Sequence, residues 1–322
     1  MRAQLPFAML AVAFACTQFT SATHAAARDR VFVASYGSDS NPCTFGSPCR
    51  TFQQAIDTVA FGGEVTAIDS AGYGPVVILF SVTITSPPGV EAGVVPTSGS
   101  SAIVIATGGG GPGVVQLRGL TLDGKDGGTN GIVFDGTATR VEIIDCLIHN
   151  FSGNGILLNP SLVGVVGPDT VIISNTVVTD NGGPGIELNP QQTDPSLRGA
   201  FDHVITSGNS SSGIIIDATN YVGPVDIAIS NSVSDGNSGD GITIAGVGNV
   251  KVEMRESTLS NNGFNGITVS KAIAGLYANS IVLNNNSGFA IANSGTINSF
   301  GNNAIESNHS SNTGTLTPVT TQ

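Results

Sequence analysis

Along most of the chain, apolar and polar residues alternate with a period of two over short runs, which is the pattern of β-strands with one buried side. In each repeat a glycine followed by Ile or Phe opens the first run, and two more short β-type runs follow. The intervals between these glycines are 24, 30, 28, 28, 25 and 22 residues. The chain is therefore a repeat protein with three predicted strands per repeat. The seven pairs are Gly131-Ile132, Gly155-Ile156, Gly185-Ile186, Gly213-Ile214, Gly241-Ile242, Gly266-Ile267 and Gly288-Phe289.

A repeat of this length is found in leucine-rich repeats as well as in parallel β-helices. Leucine-rich repeats need regularly spaced leucines and a helical or tight segment, whereas here all three runs are rich in β-branched residues and none has a helical rhythm. Three strands per repeat predict three parallel sheets, with each coil about 4.8 Å above the last. Over residues 102–308 the repeats resemble those of the pectin-lyase-like superfamily. This resemblance implies an all-β, right-handed parallel β-helix, a solenoid of three-stranded coils.

The first 27 residues resemble a secretory signal peptide, with Arg2 before a short apolar run and small residues at Ala25, Ala26 and Ala27. An alternative is a lipoprotein acylated at Cys16. The apolar run is too short to span a bilayer, and no later run is long and apolar enough. We therefore expect a bacterial protein without an integral membrane segment after cleavage, either secreted or periplasmic.

Residues 28–322 are predicted to form a single β-helix domain, with an N-terminal cap region at 28–70, coils at 71–308 and a C-terminal tail at 309–322 that wraps the last coil. In the cap region, the stretch that starts at Thr51 fits a capping box that opens a short amphipathic helix. Such a capping helix would cover the apolar end of the stack, which a solenoid otherwise exposes.

Charge narrows the range of partners. Without the leader, the chain has 10 Lys and Arg residues against 23 Asp and Glu residues, a net charge of −13. Such a surface repels nucleic acid and anionic membranes, so we expect no nucleic-acid partner. A polyanionic sugar would be repelled too unless calcium bridged the two, which makes calcium the one cofactor to consider.

Three cysteines lie outside the leader. Cys43 and Cys49 are six positions apart in a loop rich in Pro and Gly, and in an oxidising compartment we expect them to form a local disulfide. Cys146 lies in an apolar run, so we expect a buried, unreactive thiol.

Enzymes of the pectin-lyase-like superfamily place catalytic groups on the outer face of the strand that begins at the glycine pair. Here that face holds one carboxylate, Glu187, and no base, so the calcium ligands and proton-abstracting base of pectate lyases are missing. Asp240 matches one acidic position of polygalacturonases, but the others hold Ser212 and Asn265. We identify no complete catalytic set and keep Asp240, Glu187 and Asp217 as isolated catalytic candidates. For Asp240 the favoured interpretation is a turn residue that accepts hydrogen bonds from backbone N–H groups.

Polar residues at the strand ends are candidates for metal binding. A cation could be bound jointly by Glu187, Asn189 and Asp217, although a hydrogen-bonded ladder at the strand ends is the favoured interpretation. His149 and His203 are assigned to equivalent strands two coils apart, too far for one metal site, and are expected at the surface. Residues that interrupt the second and third strands form a further column, for which the resemblance implies stacked, hydrogen-bonded side chains. Its members are Asp145, Asn175, Asp202, Asn231, Glu256 and Asn279.

Three consecutive turns are long, over Asn159–Thr170, Asn189–Phe201 and Asp217–Val225. Long loops on one edge of a solenoid form a lobe suited to recognition, although insertions without function explain them equally well. Within these loops, Tyr221, Arg198 and Asp194 are the candidate binding residues.

Three function classes follow. The first is an exported, non-catalytic β-helix with a structural, adhesive or surface-interaction role, whose partners are polysaccharides or envelope components. The second is a carbohydrate-active enzyme of pectin-lyase-like fold, namely a polysaccharide lyase, hydrolase or epimerase. The third is a sugar-binding module, which is less favoured because the chain has no Trp and four Tyr, and sugar platforms use exposed aromatic rings.

Overall fold

The computed structural model describes residues 28–108, 113–160, 169–191, 196–247, 249–277 and 279–319. The predicted signal peptide lies outside the described residues. Nearly all of the regular structure is short β-strand. In chain order, the elements of the first half are β1 (Arg28–Val33), α1 (Phe52–Ile56), β2 (Val59–Ala67), β3 (Ala71–Gly72), β4 (Val76–Ile78), β5 (Val82–Thr85), β6 (Ala92–Val94), β7 (Ile103–Ile105), β8 (Val114–Arg118), β9 (Leu120–Asp123), β10 (Ile132–Phe134), β11 (Arg140–Ile144), β12 (Leu147–His149), β13 (Ile156–Leu158) and β14 (Asp169–Thr179).

The second half continues the same pattern. Its strands are β15 (Ile186–Leu188), β16 (Leu197–Ser207), β17 (Ile214–Ala218), β18 (Val225–Ser230), β19 (Val233–Asp235), β20 (Ile242–Gly246), β21 (Val250–Arg255), β22 (Thr258–Ser260), β23 (Asn265–Ser270), β24 (Ile273–Tyr277), β25 (Ile281–Leu283), β26 (Ser287–Ala292), β27 (Thr296–Phe300), β28 (Ala304–Glu306) and β29 (Thr317–Val319).

The strands stack into a parallel solenoid of about ten coils with three faces. The first face is a nine-stranded sheet in which each strand from β4 to β26 pairs with its counterpart in the next coil. The second face consists of β1, β2, β5, β8, β11, β18, β21, β24, β27 and β29, and the third of β3, β6, β9, β12, β19, β22, β25 and β28. The long strands β14 and β16 pass through the corner between the second and third faces and contribute to both.

The interior is a stack of aliphatic side chains, one column for each inward strand position. Ile214 pairs in register with Ile186 below and Ile242 above, and the residues that follow the repeated glycines are at most 5% exposed. The predicted column is therefore confirmed. Its members are Ile132, Ile156, Ile186, Ile214, Ile242, Ile267 and Phe289.

At the N-terminal end, the disulfide between Cys43 and Cys49 closes a loop beside β1. The five-residue helix α1 buries Phe52, Ala55 and Ile56. Thr51 Oγ1 accepts the backbone N–H of Gln54. A full capping box also needs a hydrogen bond from the backbone N–H of Thr51 to the side chain of Gln54. This part of the prediction is wrong, because that N–H donates to Asp39.

At the other end, β29 pairs with β27, and Thr313 pairs with Ala290 of β26. The tail therefore lies against the last coil on two faces. No helix in the described ranges is long and apolar enough to cross a membrane.

The corner between the second and third faces corrects one predicted column. Its residues have positive φ, from 47° to 58°, a conformation that Asn and Asp tolerate better than most residues. Because Ser174 pairs with Asp202, His203 and not Asp202 occupies the corner in its coil, and His203 is not equivalent to His149. The column is Asp145, Asn175, His203, Asn231, Glu256 and Asn279.

The hydrogen-bonded asparagine stack lies at a different corner, after the third-face strands. There each side-chain oxygen from Asn209 onward accepts the backbone N–H and the side-chain amide of the asparagine one coil below, and that of Asn181 accepts the backbone N–H of Phe151. This buried ladder satisfies backbone groups that the turn leaves without strand partners. Its members are Asn181, Asn209, Asn237, Asn262, Asn285 and Asn308.

Candidate functional site

Asp240 lies on the first face, and its carboxylate is occupied by neighbouring groups. One oxygen accepts the backbone N–H of Asn265 at 2.9 Å and its side-chain amide at 3.0 Å. The other accepts the hydroxyl of Thr243 at 2.9 Å. The expected role as a turn residue that accepts backbone N–H bonds is confirmed.

Glu187 faces outward from β15, in register with Leu157 and Ile215. Its carboxylate accepts the side-chain amide of Asn154 at 2.6 Å. Glu187 and Thr243, which bonds to Asp240, occupy the same outward position two coils apart. With a strand spacing of about 4.8 Å, the carboxylates of Glu187 and Asp240 are too far apart to share a hydrogen-bond donor.

The three candidate metal ligands do not share a partner. Asp217 accepts the backbone N–H and hydroxyl of Thr219 at 3.0 and 2.6 Å. Asn189 Oδ1 accepts the amide of Gln191 at 2.8 Å, and Glu187 bonds to Asn154. In the part of the chain that the structure describes, no group of three or more His, Cys, Asp and Glu side chains could hold a metal ion.

The predicted loop lobe is smaller than expected, because β14 begins at Asp169 and β16 at Leu197. Arg198 is therefore an exposed strand residue, not a loop residue. Tyr221 is 1% exposed and packs in the core, so its ring offers no surface to a ligand. Asp194 lies outside the described residues.

A recess of about 500 Å³ opens on the third face, in the N-terminal coils. We call it the N-terminal groove. Its floor is one outward column, in which Gly72 pairs with Gly93, Gly93 with Thr121, and Thr121 with Leu147. Because the two glycines have no side chain, the floor drops to the level of the backbone at one end. At the other end it rises to Leu147, which is 37% exposed.

Titratable side chains line both edges of this groove. Glu91 lies on one edge, and Asp123, Lys125 and His149 lie on the other. Asp123 and His149 are direct neighbours in β9 and β12. The groove thus brings hydrogen-bond acceptors and donors to the borders of a flat, partly apolar floor.

Asn150 orients the acid and the histidine. Its side-chain amide donates to Asp123 at 3.0 Å and contacts His149 Nδ1 at 2.8 Å. An amide donor at Nδ1 assigns the proton of a neutral imidazole to Nε2.

Asp123 also accepts the backbone N–H of Lys125 at 3.1 Å and lies 3.5 Å from its ammonium group. Burial opposes ionisation of Asp123, but these hydrogen bonds and the neighbouring charges outweigh it and lower its pKa. Asp123 is therefore a fixed anion.

Sequence reasoning missed this cluster. His149 was expected to be an ordinary surface histidine, yet it borders a groove. The available signal was the repeat itself, because Asp123 precedes His149 by 26 residues, which is one coil. The glycine floor gave no such signal, since Gly72 and Gly93 lie in coils that lack the Gly-Ile pair.

Comparisons with known proteins agree with this architecture. A family model described as a right-handed β-helix region matches residues 130–223. Pectate lyase Pel9A superimposes with a TM-score of 0.62 at 14% identity, covering 87% of this chain and 79% of that one. The A-module of mannuronan C-5 epimerase AlgE6 from Azotobacter vinelandii gives a TM-score of 0.51 at 14% identity, covering 84% and 94%.

The enzymatically active domain of tailspike protein 2 from bacteriophage CBA120 gives a TM-score of 0.54 at 14% identity, covering 86% of this chain and 42% of that one. No curated protein matches the sequence. At these identities the similarity shows the fold alone. The chain is a right-handed parallel β-helix protein with the pectin-lyase-like fold, as the repeats predicted.

Proposed function

We propose that this protein is an exported β-helix protein that binds a neutral glycan in the N-terminal groove without cleaving it. The observation that carries the proposal is the backbone-level floor at Gly72 and Gly93, with charged side chains along both edges. The groove runs across several coils, so an extended ligand can lie along the axis of the solenoid.

The edge chemistry suits hydroxyl groups, each of which both donates and accepts hydrogen bonds. Glu91 and Asp123 can accept, while Lys125 and the Nε2–H of His149 can donate. Leu147 offers an apolar surface to the C–H face of a sugar ring. The pectate lyase and the mannuronan epimerase are named for polysaccharides, which supports a glycan. The net charge of −13 without the leader favours a neutral glycan.

Two carboxylates, Glu91 and Asp123, border the groove, and the ionised state of Asp123 argues against cleavage. Glycoside hydrolysis uses a protonated acid and a second carboxylate placed around one bond. Asp123 is held ionised by its hydrogen bonds and has a lowered pKa, so it is a poor proton donor. Asp240 and Glu187 lie on another face, and neighbouring side chains already bond to them.

A polysaccharide panel tests the proposal. The chain from Arg28 onward is run in affinity electrophoresis against xylan, glucomannan and β-glucan, and against polygalacturonate and alginate with and without calcium. We expect retardation by a neutral polysaccharide that chelation does not change, with no rise in ultraviolet absorbance and no new reducing ends. Turnover of any polysaccharide, or binding confined to acidic ones with calcium, would contradict the proposal.

Export is tested separately. When the full chain is expressed in a bacterium, we expect the processed protein outside the cytoplasm, with Arg28 as its first residue. Full-length protein retained in the cytoplasm would contradict the export proposal and leave glycan binding unaffected.

A further inference from the structure

A second recess lies on the outer surface of the second face, where β16, β18 and β21 run side by side. Its volume is about 350 Å³. Arg198, Asp226 and Lys251 form one wall, Ala228 lies on the floor, and Glu253 borders it. We call it the charged trough. It exists because Ala228 and its in-register neighbour Ala200 both have small side chains, beside the longer side chain of Glu253.

The wall charges alternate in sign without pairing. Arg198 is in register with Asp226, and Asp226 with Lys251, so neighbours are about 4.8 Å apart across the strands. All three are exposed. Arg140 pairs with Glu142 elsewhere on this face, and at the border of the trough Arg255 pairs with Glu253. Within the described ranges no ion pair joins Arg198, Asp226 and Lys251, so their polar groups remain available to a ligand.

The order of charges selects the class of ligand. An anion placed between Arg198 and Lys251 would meet the carboxylate of Asp226, and a cation at Asp226 would meet the two basic groups. A neutral ligand with many hydroxyl groups avoids both repulsions. It can accept hydrogen bonds from Arg198 and Lys251 and donate to Asp226 and Glu253.

We infer that the charged trough is a second binding site for neutral glycans, so that one chain holds two glycan strands and cross-links them. The inference takes its ligand class from the proposed function. The coil of Asp226 is four coils beyond that of Thr121, about 19 Å along the axis. The trough and the N-terminal groove also lie on different faces, so one straight oligosaccharide does not fill both.

Calorimetry with cellotetraose, xylotetraose and mannotetraose tests the inference, with each protein starting at Arg28. We expect wild type to bind two molecules of one of these sugars per chain. Ala228→Phe fills the trough and should leave one site, as should Gly72→Leu in the groove, and the double variant should bind none. Asp226→Asn should weaken the trough site about tenfold, since the amide oxygen accepts a weaker hydrogen bond than the charged carboxylate. Ala292→Phe, at another exposed strand alanine, is the matched control.

The outcomes separate the two sites. One sugar per chain in wild type, unchanged by Ala228→Phe and lost in Gly72→Leu, overturns the trough and leaves the groove. Binding lost in Ala228→Phe and unchanged in Gly72→Leu overturns the groove and leaves the trough. Cross-linking is measured with beads coated with the bound polysaccharide. Wild type and Ala292→Phe should aggregate these beads, whereas Ala228→Phe and Gly72→Leu should not. Aggregation that persists in Ala228→Phe contradicts the inference.

Discussion

Asn237 Oδ1 accepts two hydrogen bonds from Asn209, one from its backbone N–H at 3.1 Å and one from its side-chain amide at 2.9 Å. Both residues are at most 1% exposed. Asn237 in turn donates to Asn262 at 3.0 Å, so the same bond pattern passes from coil to coil. Each asparagine of the ladder thereby satisfies a buried backbone group of its neighbour.

This relationship predicts a large effect of Asn237→Ala. The variant leaves the buried N–H of Asn209 without its acceptor, which costs about 1–3 kcal/mol of unfolding free energy. Urea denaturation measures the loss. Asn231→Gly is the control, since Asn231 lies at the exposed corner with a φ of 49°, which glycine adopts freely. A control loss as large as that of Asn237→Ala would refute the separate roles of the two corners.

The core column predicts that Ile214→Asp destabilises the protein by about 3–5 kcal/mol, because an unpaired charge would be buried within the stack. Ile281→Asp is a matched control, since Ile281 points outward and is 37% exposed. Thermal melting compares the two. A melting temperature of Ile214→Asp within a degree or two of wild type would contradict the inward assignment.

The strands from β10 onward and their inward sides could be predicted because the glycine pair marks the same position in seven successive coils. Corners were less predictable. An error of one residue moves a side chain to the opposite side of a strand, and Asp202 was assigned to the corner that His203 occupies.

The sequence pattern puts Arg198 in a loop because Gly199 follows it, and glycine is uncommon inside strands. The groove depends on the pairing of Gly72 with Gly93, in coils whose irregular lengths hide their register. The buried asparagines were missed because, in the sequence, they look like ordinary turn residues.

The thiols provide a test of the cap and the core together. Cys43 and Cys49 are joined, and Cys146 is free and 3% exposed. In protein starting at Arg28, we expect no thiol to react with Ellman's reagent in the folded state and one to react after denaturation without reductant. Three reactive thiols under those conditions would rule out the disulfide.

Cys146 also predicts a pH dependence. Burial raises its pKa from 9.0 to about 11, so the folded state holds this proton more tightly than the unfolded chain. The stability that Cys146 contributes is complete below pH 9 and is lost as the pH rises through about 11. The unfolding free energy of wild type should therefore fall more steeply over this interval than that of Cys146→Ala. Equal slopes would contradict the assignment.

The acids of the first face predict an absence of effect. Asp240→Asn and Glu187→Gln keep an acceptor oxygen toward Asn265 and Asn154, so glycan binding should stay within about twofold of wild type, far below the loss that accompanies removal of a charged hydrogen-bond partner. Affinity electrophoresis compares both variants with wild type. A hundredfold loss in either variant would return the functional site to this face.

The most direct test of glycan binding in the groove is the NMR spectrum of the histidine side chains during titration with cellotetraose, xylotetraose and mannotetraose. Protein starting at Arg28 contains His149, His203 and His309, and His149 borders the groove. A Cβ at Gly72 meets nothing within 4 Å, so Gly72→Leu should fill the groove without displacing the backbone. Gly301→Leu, at another open glycine, is its control. In wild type and in Gly301→Leu, we predict that one of these sugars shifts the His149 imidazole signals saturably and leaves those of His203 unchanged. In Gly72→Leu, the His149 signals should not shift. Unchanged His149 signals under conditions where a sugar binds, or a shift that persists in Gly72→Leu, would contradict the account.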